Sequence, residues 1–274
     1  MKKYIIPLLM LIIFESIAIT LYITTKNIFY LFNFSYIGIC LSFGIFLYIR
    51  KVKYARNMIQ FAVGSYMLIY LGVFNLENMQ IEGFWYYLFL GVFEAALIHY
   101  FVAKILGPLF FGRGWCGYAC WTAMILDLLP FKEPKNPRKK IKFMPYIIFI
   151  SSFLYVGGLF ILKFDNLESI MLWSFILGNL IYYSIGVYLA YNFFDNRSFC
   201  KYICPVTVFL KPASYFSLIR VKNDLSKCIG CNKCKKVCPM DVDVVNNSRN
   251  RENGTDCILC LKCIEECPKQ SLYI

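Results

Sequence analysis

Cys228-Ile229-Gly230-Cys231-Asn232-Lys233-Cys234-Lys235-Lys236-Val237-Cys238-Pro239 is followed, eighteen residues on, by Cys257-Ile258-Leu259-Cys260-Leu261-Lys262-Cys263-Ile264-Glu265-Glu266-Cys267-Pro268. Each run spaces its thiols as ligands of iron–sulfur cubes, and in paired runs of this kind the fourth cysteine serves the other cluster. Three closely spaced thiolates wrap one cube, while the fourth, after a longer gap, points to its neighbour. Cys228, Cys231, Cys234 and Cys267 are therefore expected to hold one [4Fe-4S] cluster, and Cys257, Cys260, Cys263 and Cys238 a second. Zinc sites tend instead to pair two C-x2-C units and to recruit histidine. Disulfides are opposed by the cytoplasmic placement derived below.

Residues 222 to 274 resemble the two-cluster ferredoxins of bacteria, and no ligand position departs from that pattern. The resemblance implies a small α+β fold with pseudo-twofold symmetry.

The rest of the chain is of another kind. Of 274 residues 59% are hydrophobic and only 16% charged, too few charges for an ordinary soluble domain, where about a quarter are charged. A bilayer core of about 30 Å needs roughly 20 apolar residues in a helix. Six runs meet this: Tyr4 to Thr25, Ile28 to Ile49, Met58 to Leu76, Phe84 to Leu106, Phe143 to Leu162 and Ile170 to Phe194. The first, behind Met1-Lys2-Lys3, is longer than a signal-peptide core and lacks a small-x-small cleavage site, so it reads as an uncleaved span.

Basic residues concentrate on one side of these runs. Lys2 and Lys3, then Arg50, Lys51, Lys53 and Arg56, then Arg113, Lys132, Lys135, Arg138, Lys139, Lys140 and Lys142 fall in alternate loops. The remaining loops carry Lys26 and Lys163 against Glu77, Glu82, Asp165 and Glu168. Because cytoplasmic loops retain Lys and Arg, both termini are expected in the cytoplasm. The formal charge of +13 is thereby read as a topology and lipid signal, and no nucleic-acid partner is expected.

The expected fold class is a mainly α-helical polytopic membrane protein of about six spans, followed by the small α+β ferredoxin-like domain. Residues 1-107 hold four transmembrane helices, 108-142 a cytoplasmic loop, 143-194 two further helices, 195-221 a linker and 222-274 the two-cluster domain. The expected location is the cytoplasmic membrane, with the ferredoxin domain on the cytoplasmic side.

Two more cysteine pairs follow even-numbered spans: Gly112-Arg113-Gly114-Trp115-Cys116-x3-Cys120-Trp121 and Arg197-x2-Cys200-x3-Cys204-Pro205. If helical, each pair sets two thiols on one face at i and i+4. Together Cys116, Cys120, Cys200 and Cys204 would supply four thiolates for a third [4Fe-4S] cluster. A redox-active or metal-handling thiol site and reduced structural cysteines are the alternatives. Cys40, alone within a span, reads as a packing residue.

With these motifs the chain, over roughly residues 105 to 274, resembles the polytopic membrane polyferredoxins. That family includes the membrane ferredoxin subunit of periplasmic nitrate reductase systems, the nitrous oxide reductase regulatory protein and accessory proteins of cbb3-type oxidases. Trp121 stands where the family usually has Pro.

The single histidine, His99, excludes a bis-imidazole haem within one copy, and no dinucleotide fingerprint or Walker loop appears. Ionisable residues inside spans are functional candidates. Glu94 and His99, five residues apart, are turned about 140° from each other on a straight helix and form no acid–base pair. Each is a candidate quinone contact, with an interhelical hydrogen bond as the plainer role, as for Glu15. No broken-helix pair is expected.

The reading is an electron-transfer component rather than a stand-alone enzyme, with no catalytic residue assigned. It would pass single electrons between a membrane donor, such as quinol, and a redox protein partner. The alternative is an assembly or metal-handling factor for another metalloenzyme, using the two Cys-x3-Cys pairs.

Overall fold

The computed structural model describes residues 5–52, 54–246 and 250–274, without the side chain of Ala95. Lys2, Lys3 and Lys53, three of the charges used to orient the chain, lie outside the described residues.

Helix α1 (Ile5–Thr25) and helix α2 (Ile28–Ile49) form a hairpin, and α3 (Ala55–Ser65) continues as a π-helical stretch, Tyr66–Phe74. These helices are apolar on every side, as lipid-embedded helices are; Ile12, Phe32 and Phe61 are each more than half exposed. Between α1 and α2, Ser35 Oγ donates to Glu15 Oε2 at 2.8 Å, so this acid has an interhelical hydrogen bond. Cys40 packs on the core they share.

The run Phe84 to Leu106, expected as one continuous span, is broken. Helix α4 (Ile81–Leu90) stops at Gly91, whose φ of +70° is a left-handed turn that glycine adopts without steric cost. Glu94 is extended, and α5 (Ala95–Tyr100) then runs through a π-helical segment, Phe101–Leu106, into α6 (Gly107–Phe111). The chain reverses at the break. The rings of Phe84 and Tyr100 are 5.2 Å apart, whereas sixteen residues of continuous helix would part them by about 24 Å.

Two short helices, α7 (Gly114–Tyr118) and α8 (Trp121–Leu126), precede the basic loop, and α9 (Met144–Ile161) and α10 (Leu167–Phe193) follow it. Trp85 of α4 donates to Ser152 Oγ of α9 at 3.1 Å, and Asn78 Nδ2 donates to the Met171 carbonyl of α10 at 3.0 Å. Residues 75–90 thus form an inserted segment, so the run Phe84 to Leu106 is not the one continuous span expected. Among the described residues five helices (α1, α2, α3 with its π continuation, α9 and α10) are long and apolar enough to cross a bilayer, and Ala96–Phe111 is a shorter apolar helix.

The C-terminal part comprises α11 (Ser198–Tyr202), α12 (Thr207–Tyr215), β1 (Lys222–Asn223), α13 (Lys233–Lys236), a 3-10 turn (Gly254–Asp256), α14 (Lys262–Glu265) and β2 (Leu272–Tyr273). β1 and β2 pair antiparallel, Lys222 with Tyr273 and Asn223 with Leu272, closing this small α+β unit end to end.

Candidate iron–sulfur centres

The two cysteine runs of the tail repeat at an offset of twenty-nine residues, in backbone as well as in sequence. Gly230, Asn232 and Asp241 are left-handed in the first run; Leu259, Leu261 and Gln270 are left-handed at the matching places in the second. A left-handed leucine costs roughly 1–2 kcal/mol. What such turns achieve is a concave row of N–H groups, the backbone nest that many Fe–S sites use for an anionic group. Helices α13 and α14 carry the third cysteine of each run, Cys234 and Cys263.

Cys228, Cys231, Cys234 and Cys267 line one cavity. Cys238 lies instead within electrostatic reach of Cys257 and Cys260, and Cys263 of all three and, more weakly, of Cys234. Burial pushes the Cys238 thiol up to about 12 and the Cys257 thiol to about 11, so only a strongly binding metal group would keep them as thiolates. All thirteen cysteines are free thiols. Among the described residues no three His, Cys, Asp or Glu side chains are close enough to grip a single ion. One zinc, at about 2.3 Å from each sulfur, draws four thiolates to within about 4 Å of one another; a cube holds them apart at its corners. The donor chemistry and the nests both fit a [4Fe-4S] group.

Three cysteines of the other two pairs, Cys116, Cys120 and Cys200, share one packed cluster with the tail. The local geometry of each pair differs from a helical i, i+4 pair. Cys116 and Cys200 lie within the five-residue helices α7 and α11, but Cys120 and Cys204 come after those helices have ended. Helix followed by turn brings the thiols together: Cys200 lies within electrostatic reach of Cys204, Cys120 and Cys116. Burial pushes Cys200 up to about 12 and Cys204 to about 11.

Two arginines that sequence reasoning missed hold this quartet. Arg113 and Arg197, each three residues before the first cysteine of its pair, are 1% and 0% exposed. Each crosses to the other motif: Arg113 Nη2 donates to the Cys200 carbonyl at 3.3 Å, and Arg197 Nη1 to the Cys116 carbonyl at 3.0 Å. Each is neutralised by an aspartate. Arg197 forks onto Asp127 at 2.7 and 2.5 Å, and Arg113 meets Asp256 at 2.6 Å. The readable signal was the repeated Arg-x-x-Cys-x3-Cys, eighty-four residues apart.

Asp256, immediately before Cys257, is also the docking point of the tail. Arg138 reaches it at 2.7 Å and Lys211 at 3.5 Å. Its burial would raise its pKa, but Arg113, Arg138 and Lys211 outweigh that and hold the carboxyl below the usual range. Arg138 thus acts within the molecule, beyond the topology and lipid role read for its basic loop. Lys201 bridges Asp195 and Asp241. Tyr118 Oη donates to the Leu259 carbonyl at 2.8 Å. A Cβ on Gly117 would sit 2.4 Å from the Ile258 carbonyl oxygen, so only glycine admits so close an approach. The loop between Cys116 and Cys120 therefore rests directly on the loop between Cys257 and Cys260.

Beside Cys116, at Trp115, lies a cavity lined by Asn33, Glu77, Met79, His99 and Trp115 among others. Asn33 Oδ1, His99 Nε2 and Trp115 Nε1 are buried there without hydrogen-bond partners. Glu94 is exposed before α5 and does not line it. Glu77, read from sequence as a loop acid, does.

Comparison with known proteins agrees with this division. Residues 220–268 match the model of a 4Fe-4S dicluster domain, and residues 95–135 and 184–223 match a 4Fe-4S binding domain. Two uncharacterized proteins of Methanocaldococcus jannaschii are each 25% identical. One alignment covers 59% of this chain and 63% of the relative, the other 82% and 93%. The "Putative electron transport protein YccM" of Escherichia coli is 27% identical over 35% of this chain and 26% of its own length. The chain thus spans less than two thirds of two of these three relatives. No solved structure matches.

Proposed function

We infer that this 4Fe-4S-binding, polyferredoxin-type membrane chain is an electron conduit with three [4Fe-4S] clusters in series. Cys116, Cys120, Cys200 and Cys204 would hold the membrane-face cluster. Cys238, Cys257, Cys260 and Cys263 would hold the middle one, and Cys228, Cys231, Cys234 and Cys267 the outermost. Bound, the clusters supply one-electron redox chemistry with little rearrangement. The observation that carries the order is the contact of Gly117 and Tyr118 with Ile258 and Leu259, which sets the membrane-face ligands beside the middle ones. The match of residues 95–135 and 184–223 to a 4Fe-4S binding domain supports a cluster at the first set. The name of the E. coli relative supports electron transport.

The reading extends to topology. In this reading the six-run domain plan, 1-107 through 222-274, is kept by taking the shorter apolar helix Ala96–Phe111 as the fourth crossing, with residues 75–90 inserted from the outer side. Arg56, beside the α2–α3 turn, bonds Asp127 at 2.8 Å and the Gly117 carbonyl at 3.0 Å. This supports placing the basic loops and the ferredoxin domain on one side, the cytoplasm.

A quinol is the proposed electron donor, and the cavity, about 30 Å³ as it stands, would have to widen to admit its ring. Trp115 Nε1 is placed to donate to its oxygen, and Asn33 Oδ1 to accept from its hydroxyl. Oxidation releases two electrons and two protons per quinol; clusters bound by the thiols would accept the electrons one at a time, and His99 Nε2 and the Glu77 carboxylate are the groups placed to take the protons. At the far end Cys231 is exposed among Leu225, Ile229, Lys227, Lys235 and Lys236. That basic and apolar face suits an acidic redox partner. Burial of Cys116 and Cys200, each 6% exposed, weighs against the metal-handling alternative, which needs thiols open to an incoming ion.

Anaerobic purification with iron and sulfide quantification tests the series. About twelve irons per chain are expected, three cubes of four, and about eight in wild type would overturn it. Quinol-driven reduction is expected to vanish in His99→Leu while dithionite reduction persists; unaltered quinol-driven reduction removes His99 from the mechanism.

A further inference from the structure

The reversal at Gly91 places a π-helical segment, Phe101–Leu106, beside the membrane-face thiols. On an α-helix, His99 and Lys104 would diverge by about 140°. Here both reach Trp115: the His99 ring lies 5.4 Å from the Trp115 ring, and Lys104 Nζ lies 5.2 Å from it. π-helical turns of this kind recur at functional sites, where they re-aim side chains.

Lys104 is 4% exposed. Every other buried cation around the quartet has a carboxylate: Arg113 has Asp256, Arg197 has Asp127, and Lys201 has Asp195 and Asp241. Among the described residues, none of the ion pairs includes Lys104. The sulfurs of Cys116, Cys120 and Cys204 lie within its electrostatic reach, as does the guanidinium of Arg113. Taking an ammonium out of water is costly, and contact with one indole face offsets only part of that cost. An anion on the thiol side would supply the remaining stabilisation and keep the ammonium charged.

We propose that Lys104 is the counter-charge of the group bound by Cys116, Cys120, Cys200 and Cys204, and that it raises that group's reduction potential. This rests on the reading that the four thiols hold a [4Fe-4S] cluster. With four thiolates such a cube carries about −2 when oxidised and about −3 when reduced, so a fixed positive charge favours the reduced state. With a cluster bound, Lys104 would therefore favour retention of an electron there over its return to a donor. Lys104 acts as a positioning charge and undergoes no bond change.

The test is an EPR-monitored redox titration of full-length protein purified anaerobically, comparing wild type, Lys104→Met and Lys104→Arg, with iron counted in each. In Lys104→Met, with about twelve irons retained, the reduced-to-oxidised ratio of one cluster at fixed potential is expected to fall at least tenfold, a shift of 59 mV for one electron. The other two clusters should not move, and Lys104→Arg should titrate like wild type. An unchanged titration in iron-replete Lys104→Met overturns the proposal. If Lys104→Met instead loses four irons, Lys104→Arg, which keeps charge but not shape, must retain them; loss in both overturns it as well. Failure of the underlying reading looks different: wild type itself would hold about eight irons and Cys200→Ser would remove none.

Discussion

The tail and the membrane-face motifs gather thiols in opposite ways. In the tail, each run builds its own nest from neighbouring residues, left-handed turns at Leu259 and Leu261 included, and one thiol, Cys231, stays exposed. At the membrane face the two pairs stand eighty-four residues apart in the chain. No local turn can join them, and the buried arginines Arg113 and Arg197, each reaching into the other's motif, do so instead. A site made by short-range backbone geometry tolerates loss of a surface charge. One made by long-range ion pairs should not.

That contrast can be broken at several points. The largest effect should come from the ligands themselves. Cys200→Ser is expected to remove about four irons and leave the tail intact, whereas Cys238→Ser should damage the cluster whose other ligands lie some twenty residues later. Iron counts with spectra of both variants decide this; loss in Cys238→Ser of only the cluster ligated by Cys228, Cys231 and Cys234 would refute the crossed assignment.

Next in size is Arg197→Met, which leaves Asp127 buried with only Arg56 as partner. Removing one member of a buried pair costs about 3–5 kcal/mol, so a lower melting temperature and loss of the membrane-face cluster are expected. Melting within error of wild type would mean that the crossed arginines do not hold the quartet.

Gly117→Val probes the joint between the regions. Its side chain must displace the Ile258 carbonyl, an overpacking cost of about 1–3 kcal/mol. Electron transfer from the membrane-face centre to the tail should slow in flash or stopped-flow reduction, with iron content unchanged. Equal rates would sever the proposed order of clusters.

The smallest effect should belong to Lys233→Ala, which removes the exposed pair with Glu266 at 2.8 Å. Surface pairs of this kind contribute little. Melting should not shift measurably, although binding of an acidic redox protein should weaken and lose salt sensitivity. A large drop in melting would place the tail in the same class as the membrane face.

Legibility followed the same division. The tail cysteines are readable as two runs of four because each run is local to a dozen residues, whereas which fourth thiol joins which three depends on how runs 29 residues apart pair in space. The apolar helices were readable from hydropathy, with one exception. Leu90-Gly91-Val92-Phe93 is as apolar as its flanks, so composition does not register the turn; what holds it is Phe84 against Tyr100 and Trp85 against α9. Glu94 precedes α5 in extended backbone and does not line the cavity that His99 lines. Glu77 was read as a loop charge, because nothing local tells that its segment folds back to line the cavity with His99.

Local order, then, was enough to determine the thiol inventory, the 29-residue duplication of the tail, the apolar helices and the basic loops, since each depends on residues within a few turns of one another. Tertiary structure alone decided that Arg113 and Arg197 exchange partners, that Asp256 gathers three cations, and that Lys104 faces thiols rather than a carboxylate. Those outcomes depend on low-dielectric burial, where a charge must find its opposite from whatever part of the chain the fold brings near.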